Sequence, residues 1–114
     1  MPGFRTQKNE KKYREHMKNK TDKCPLCDRV GFKKFKYWKI IENKFPYDKI
    51  AKEHHMLVPI RHVIEDVLNN KELMEFKKIK NDFIKNSDYD YILETNNSRK
   101  THPFHFHLHL IVVK

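Results

Sequence analysis

Glycine is almost absent from this 114-residue chain, which has two, Gly3 and Gly31. Phosphate-cradling loops and dinucleotide fingerprints need glycine where backbone amides approach phosphate closely, so both are excluded and any phosphate chemistry falls to side chains. Cysteine is equally scarce, with Cys24 and Cys27 in the run Cys24-Pro25-Leu26-Cys27. In a lysine-rich chain, a lone Cys-x-x-Cys reads as a metal knuckle or a redox pair rather than a structural disulfide. A redox pair expects the second cysteine to open a helix, and Asp28-Arg29-Val30-Gly31 offers none. No apolar run approaches the roughly 20 residues that span a bilayer, and no apolar signal segment is visible. The expectation is a soluble, intracellular protein, cytoplasmic or nuclear, with no membrane partner. At 114 residues one domain is expected, without room for a second catalytic one.

Acidic residues are also in the minority, 15 against 25 Lys and Arg, for a formal charge of +10. Such a charge attracts polyanions, including nucleotides and nucleic acids, although a composition rich in lysine and asparagine also follows from genomic bias. Residues 1–23 concentrate the charge in Arg5, Lys8, Lys11, Lys12, Arg14, Lys18, Lys20 and Lys23. They read as a basic N-terminal arm, a surface helix or partly disordered, and as a candidate nucleic-acid contact. Residues 24–114 form the remaining unit.

Histidine is what the chain does have, and His105, His107 and His109 stand at spacing two near its end. In an extended strand the three imidazoles line one face, with Phe104, Phe106, Leu108 and Leu110 on the other. One face is expected to pack and the other to be open for chemistry, since imidazole is nucleophile, proton carrier and metal ligand near neutral pH.

Upstream, the aromatic and β-branched run from Phe35 to Phe45 reads as a strand closed by a turn over residues 43–48. A short excursion through Ile50 and Ala51 leads to a buried strand at His55 to Val58, closed by Pro59. Ile64, Val67 and Leu68, then Leu73, Phe76, Ile79 and Phe83, fit helical faces laid on a sheet. Tyr89 to Thr95 reads as a strand, Asn96 to Thr101 as a polar loop, and the histidine strand comes last. This order implies an α+β fold, an antiparallel sheet of about four to five strands with helix on one face.

Zinc takes about four nitrogen or sulfur ligands, and a Cys-x-x-Cys turn supplies two of them. His62, just past Pro59, and one of the three alternating histidines are the natural completions, and such a site would staple the N-terminal segment to the sheet.

His105-Phe106-His107-Leu108-His109-Leu110-Ile111 resembles the His-x-His-x-His-x-x signature of the histidine-triad (HIT) superfamily, nucleotide hydrolases and transferases. Phe45-Pro46-Tyr47-Asp48, His54, Met56-Leu57-Val58-Pro59 and Arg61-His62-Val63 are similar to its upstream strands. The resemblance covers Cys24 to the C-terminus. It implies a HIT-like five-stranded antiparallel sheet, commonly in a homodimer, and a structural Zn2+ on Cys24, Cys27, His62 and His105. His107 would be the nucleophile toward the α-phosphate of a nucleoside phosphate or phosphoramidate, forming a nucleotidyl-histidine intermediate, and His109 would sit beside the phosphate. Asn43 and Asp48 fall where the family contacts the ribose, though either would equally cap the turn; Asn97 falls where it would reach the phosphate or hydrogen-bond its own backbone. The family's Gly-rich loop is replaced here by Ser98-Arg99-Lys100-Thr101-His102-Pro103, where His102 would either take over the usual leaving-group contact or be inert. The alternative is a zinc-stabilised basic module that binds nucleic acid through residues 1–23 and uses the histidine pocket only for binding.

Overall fold

The computed structural model describes residues 3–18, 24, 26–27, 29–95 and 105–114. It is an α+β fold with a five-stranded, wholly antiparallel sheet. The strands are β1 (Lys33–Lys34), β2 (Trp38–Glu42), β3 (Ala51–Pro59), β4 (Tyr91–Leu93) and β5 (Leu108–Val113). Their order across the sheet is β1-β2-β3-β5-β4, which puts the histidine-bearing strand beside β3. Two helices accompany the sheet, α1 (Gln7–Lys18) and α2 (Asn70–Lys78); a 3-10 turn (Glu65–Val67) precedes α2 and a π turn (Ile79–Ile84) extends it. Among the described residues no helix is long and apolar enough to cross a membrane.

The strand expected from Phe35 to Phe45 shortens to β2: its first residues instead form a turn, closed by the Phe35 amide on the Trp38 carbonyl (2.7 Å), that joins β2 to β1 just upstream of the expected span. Gly31 enables the return: a Cβ there would stand 2.8 Å from the Ile40 carbonyl oxygen. The strand expected at His55–Val58 is longer, because Ala51 is already paired with Val113 and a bulge between Ala51 and Glu53 absorbs the excursion.

The main core lies on the face carrying Trp38, Ile40, Leu57, Leu108 and Leu110, closed by Phe76, Ile79, Phe83 and Ile84. A smaller cluster of Leu26, Ile41, Met56 and Val58 lies beside Cys24. The expected helical face is only partly correct: Leu68, Phe76, Ile79 and Phe83 pack, while Ile64, Val67 and Leu73 are exposed. Glu72 takes the inward position instead. Asn69 and Glu72 form a reciprocal capping box, the Glu72 carboxylate receives Arg61, and its carbonyl accepts from the Trp38 indole N–H at 2.9 Å. These bonds set the phase of α2 one residue earlier than the apolar spacing suggests.

The basic segment is helical over Gln7–Lys18 and packs on the domain, with Phe4 against Tyr47 and Tyr13 edge-on to Phe45.

Candidate metal centre and histidine cluster

The alternation of His105, His107 and His109 does not translate into one long strand. The β3–β5 ladder ends at the Leu57–Leu108 pair, so His105 and His107 precede β5 and His109 lies within it. Pro59 has no N–H to continue a ladder, and its carbonyl accepts from the His105 ring (Nε2 to O, 2.9 Å). The Phe106 amide turns instead to the Val63 carbonyl at 2.8 Å. Nor is the histidine face open: His105, His107 and His109 are 1, 4 and 4% exposed. The expected division into a packed face and a free one is corrected accordingly, since Phe106, Leu108 and Leu110 enter the main core and the imidazoles are buried too.

Cys24, Cys27, His62 and His105 converge, their ligand atoms all within 4.8 Å of one another, and this group can hold a metal ion. Three stretches of chain meet there: the cysteine turn, the segment after β3, and the approach to β5. His105 Nδ1 lies 3.3 Å from each thiol sulfur and 3.2 Å from His62 Nδ1. With Nε2–H donated to Pro59, the His105 lone pair is on Nδ1, facing the thiols. Burial pulls the His105 pKa below its ordinary value, against the Pro59 carbonyl, so the ring is a neutral donor at neutral pH. The cysteine turn is tied down by Leu26 and by Lys39, whose Nζ donates to the Cys27 and Arg29 carbonyls at 3.3 and 2.6 Å.

Beside this group, His107 Nδ1 lies 3.0 Å from the His105 carbonyl oxygen. A carbonyl only accepts, so Nδ1 carries the proton and Nε2 the lone pair. The His109 ring stands edge-on to His107, centroids 5.3 Å apart. His109 Nδ1 is 2.8 Å from His54 Nε2, and its own Nε2 is 3.5 Å from the Tyr47 hydroxyl. Burial, reinforced by His54, His107 and Arg5, pushes the His109 pKa down to about 2; burial with Arg5 and His55 pushes His54 to about 3. Both are neutral rings. Burial raises the Tyr47 phenol, with Arg5 opposing, so its hydroxyl keeps its proton.

The remaining expected residues divide. Asn43 approaches the cluster, its Nδ2 3.3 Å from His54 Nε2, while its Oδ1 accepts from the Phe45 amide at 2.8 Å and so caps the turn. The Asp48 carboxylate is turned to the N-terminal segment, accepting from the Thr6 amide (2.7 Å) and hydroxyl (2.8 Å). Asn97 and His102 lie outside the described residues, as do Phe104 and the expected loop from Asn96 to Thr101. Sequence reasoning missed Tyr47 and Arg5. Tyr47 stacks on both His54 and His109, and the Arg5 guanidinium lies over the Tyr47 ring at 4.9 Å. Only the run of loop aromatics beside His54 pointed to Tyr47, and nothing pointed to Arg5.

Compared with models of known protein families the chain matches none, and no curated protein matches it.

Proposed function

We infer that this chain is a zinc-stabilised, HIT-like nucleoside-phosphate hydrolase or nucleotidyl transferase. The observation that carries the reading is how two adjacent buried imidazoles are held. His107, with Nδ1–H on the His105 carbonyl, has its lone pair on Nε2, whereas His109 has its Nδ1 engaged by His54. One ring is therefore suited to attack and its neighbour to donate.

The donor set fits zinc. With Zn–S of about 2.3 Å and Zn–N of about 2.0 Å, a tetrahedron has S···N edges of about 3.5 Å and an N···N edge of about 3.3 Å. Three of the four S···N separations, at 3.1 to 3.3 Å, and the N···N separation of 3.2 Å are within a few tenths of these, and the whole group lies within 4.8 Å. Four protein ligands leave no open position, so the ion's contribution is structural: it fixes the backbone on which His107 rides.

In the reaction, His107 Nε2 attacks the α-phosphorus of a nucleotidyl substrate. A P–N bond forms while the bond to the leaving group breaks, and the leaving group departs with the electron pair and takes up a proton from solvent. Water or another acceptor then attacks phosphorus and gives up its proton to solvent as the P–N bond breaks and the imidazole recovers its lone pair. His109 Nε2–H donates to a phosphate oxygen as charge develops on it. Incubation with an adenosine phosphoramidate is expected to release AMP. His107→Ala should abolish release while keeping metal stoichiometry and the folded state; release that survives the substitution refutes the mechanism.

A second reading, nucleic-acid binding, draws support from α1, on which Lys8, Lys11, Lys12 and Lys18 are exposed on one side, with the acidic Glu15 among them. It predicts affinity for RNA or DNA that falls steeply with salt and is indifferent to His107→Ala.

A further inference from the structure

The N-terminal segment lies outside the resemblance, yet its contacts fall on one loop of the candidate site. Arg5 donates from Nε to the Phe45 carbonyl (2.7 Å). Thr6 donates from its amide and hydroxyl to the two Asp48 carboxylate oxygens (2.7 and 2.8 Å), and the Lys49 amide donates to the Phe4 carbonyl (2.8 Å). These bonds bracket Tyr47 on both sides. The Phe4 ring, 5.5 Å away, and the Arg5 guanidinium, 4.9 Å away, cover its side chain. Arg5 is itself held over Tyr13 of α1 at 4.1 Å and beside Glu10 at 3.5 Å.

What this clamp holds in place is a backbone amide. The Tyr47 N–H donates to His54 Nδ1 at 3.0 Å. An amide nitrogen cannot accept, so a neutral His54 carries its proton on Nε2. The Asn43 amide nitrogen near that atom offers only donors, its oxygen being taken by the Phe45 amide. The acceptor for the His54 proton is therefore His109 Nδ1, at 2.8 Å. That bond in turn obliges a neutral His109 to carry its own proton on Nε2.

We propose that the N-terminal segment is a working part of the histidine cluster: by clamping the Tyr47 amide onto His54, Arg5 and Thr6 position His109 as an Nε2–H donor. Arg5, Thr6, Tyr47 and His54 are positioning residues in this scheme; none needs to touch the substrate. The burial that keeps His54 and His109 uncharged supports it, since a protonated ring in either place would break the donor-to-acceptor sequence. The tautomer assignment stands apart from the nucleotidyl-transfer reading; only its effect on turnover rests on that reading.

The test is imidazole long-range ¹H–¹⁵N correlation on the full zinc-loaded chain at pH 7, with AMP release from an adenosine phosphoramidate measured in parallel. The parent protein is expected to show His54 and His109 as Nε2–H and His107 as Nδ1–H. Arg5→Met combined with Thr6→Val should move His109 to a mixture of tautomers. It should lower kcat about tenfold with KM and zinc content unchanged. Arg5→Lys, which keeps the charge but loses the Nε donor and the planar stack, is a milder second variant expected to shift in the same direction. Lys77→Met, on the exposed side of α2, should change nothing. A parent His109 protonated on Nδ1 overturns the proposal, and so does a His109 signal unchanged in both clamp variants. Correct tautomers that respond to the variants, in a protein that releases no AMP, uphold the proposal and refute only the enzymatic reading.

Discussion

Leu26 sits between the two cysteines, 2% exposed, packed against Ile41, Met56 and Val58. Replacing it with alanine removes three buried carbons from a small cluster bordering the metal centre. Truncating a buried leucine costs about 2–5 kcal/mol, and the lower half applies here because the half-buried edge at Cys24 lets the site collapse. The described part of the cysteine turn is otherwise tied by Lys39 and by the metal ligands themselves. The loss should therefore be felt mainly in the ion-bound state, where the turn must be docked. A loss of about 2.8 kcal/mol corresponds to about 100-fold in the metal Kd and about 10 °C in the melting temperature of the zinc-loaded protein. Competition against a chromophoric chelator measures the first and a thermal melt the second. Ile79→Val, in the other core cluster, should lower the melt without touching Kd. A Leu26→Ala protein that binds zinc within twofold of the parent, with the whole loss in the metal-free melt, would refute the reasoning, because the turn would then dock without the ion.

Acid should destabilise the fold through His54 and His109, held neutral with pKa values pushed down to about 3 and about 2. Unfolded imidazoles protonate near about 6.5, so their contribution is full above that pH and declines toward the folded values by about 1.4 kcal/mol per unit for each ring. Urea midpoints between pH 7 and 4.5 check this, and a flat profile contradicts it. Arg61 hydrogen-bonded to Glu72 holds that carboxyl below its usual range, so its contribution is present above the unfolded value and lost as pH falls through the folded one. Glu72→Gln keeps an acceptor for Asn69 but meets the Arg61 Nε–H with a second donor, so it should lower the melting temperature and remove this acid limb. Gly31→Ala should cost about 1–3 kcal/mol, read as a shifted urea midpoint at constant slope, because its Cβ would collide with the Ile40 carbonyl.

The parts of the molecule legible in the sequence were those with short-range signatures. Cys-x-x-Cys and the residue after Pro59-x-x gave three members of the candidate metal group; the alternating histidines narrowed the fourth to three, of which the family resemblance singled out His105. The aromatic and β-branched runs located β2, β3 and β5 to within a few residues. What escaped was set by distant partners. The phase of α2 follows a buried glutamate whose partners are Arg61, Asn69 and Trp38, so counting apolar residues put Leu73 inside when it is outside. Asp48 suited a ribose in its local motif, but Thr6, 42 residues away, holds both its oxygens. Arg5 looked like one more charge in a basic run, and no spacing rule connects it to a tyrosine in a later loop.

The four side chains of the candidate metal centre come from widely separated parts of the backbone. Cys24 and His105 are 81 residues apart, and the span between them contains β1, β2, β3, α2 and β4. An ion shared by the two ends turns that span into a ring, which removes a large set of extended conformations from the unfolded chain. A protease that threads polypeptide from the N-terminus would have to strip the N-terminal segment from its loop and would then stall at this buckle. Chelation, rather than heat, should be the step that commits the protein to degradation.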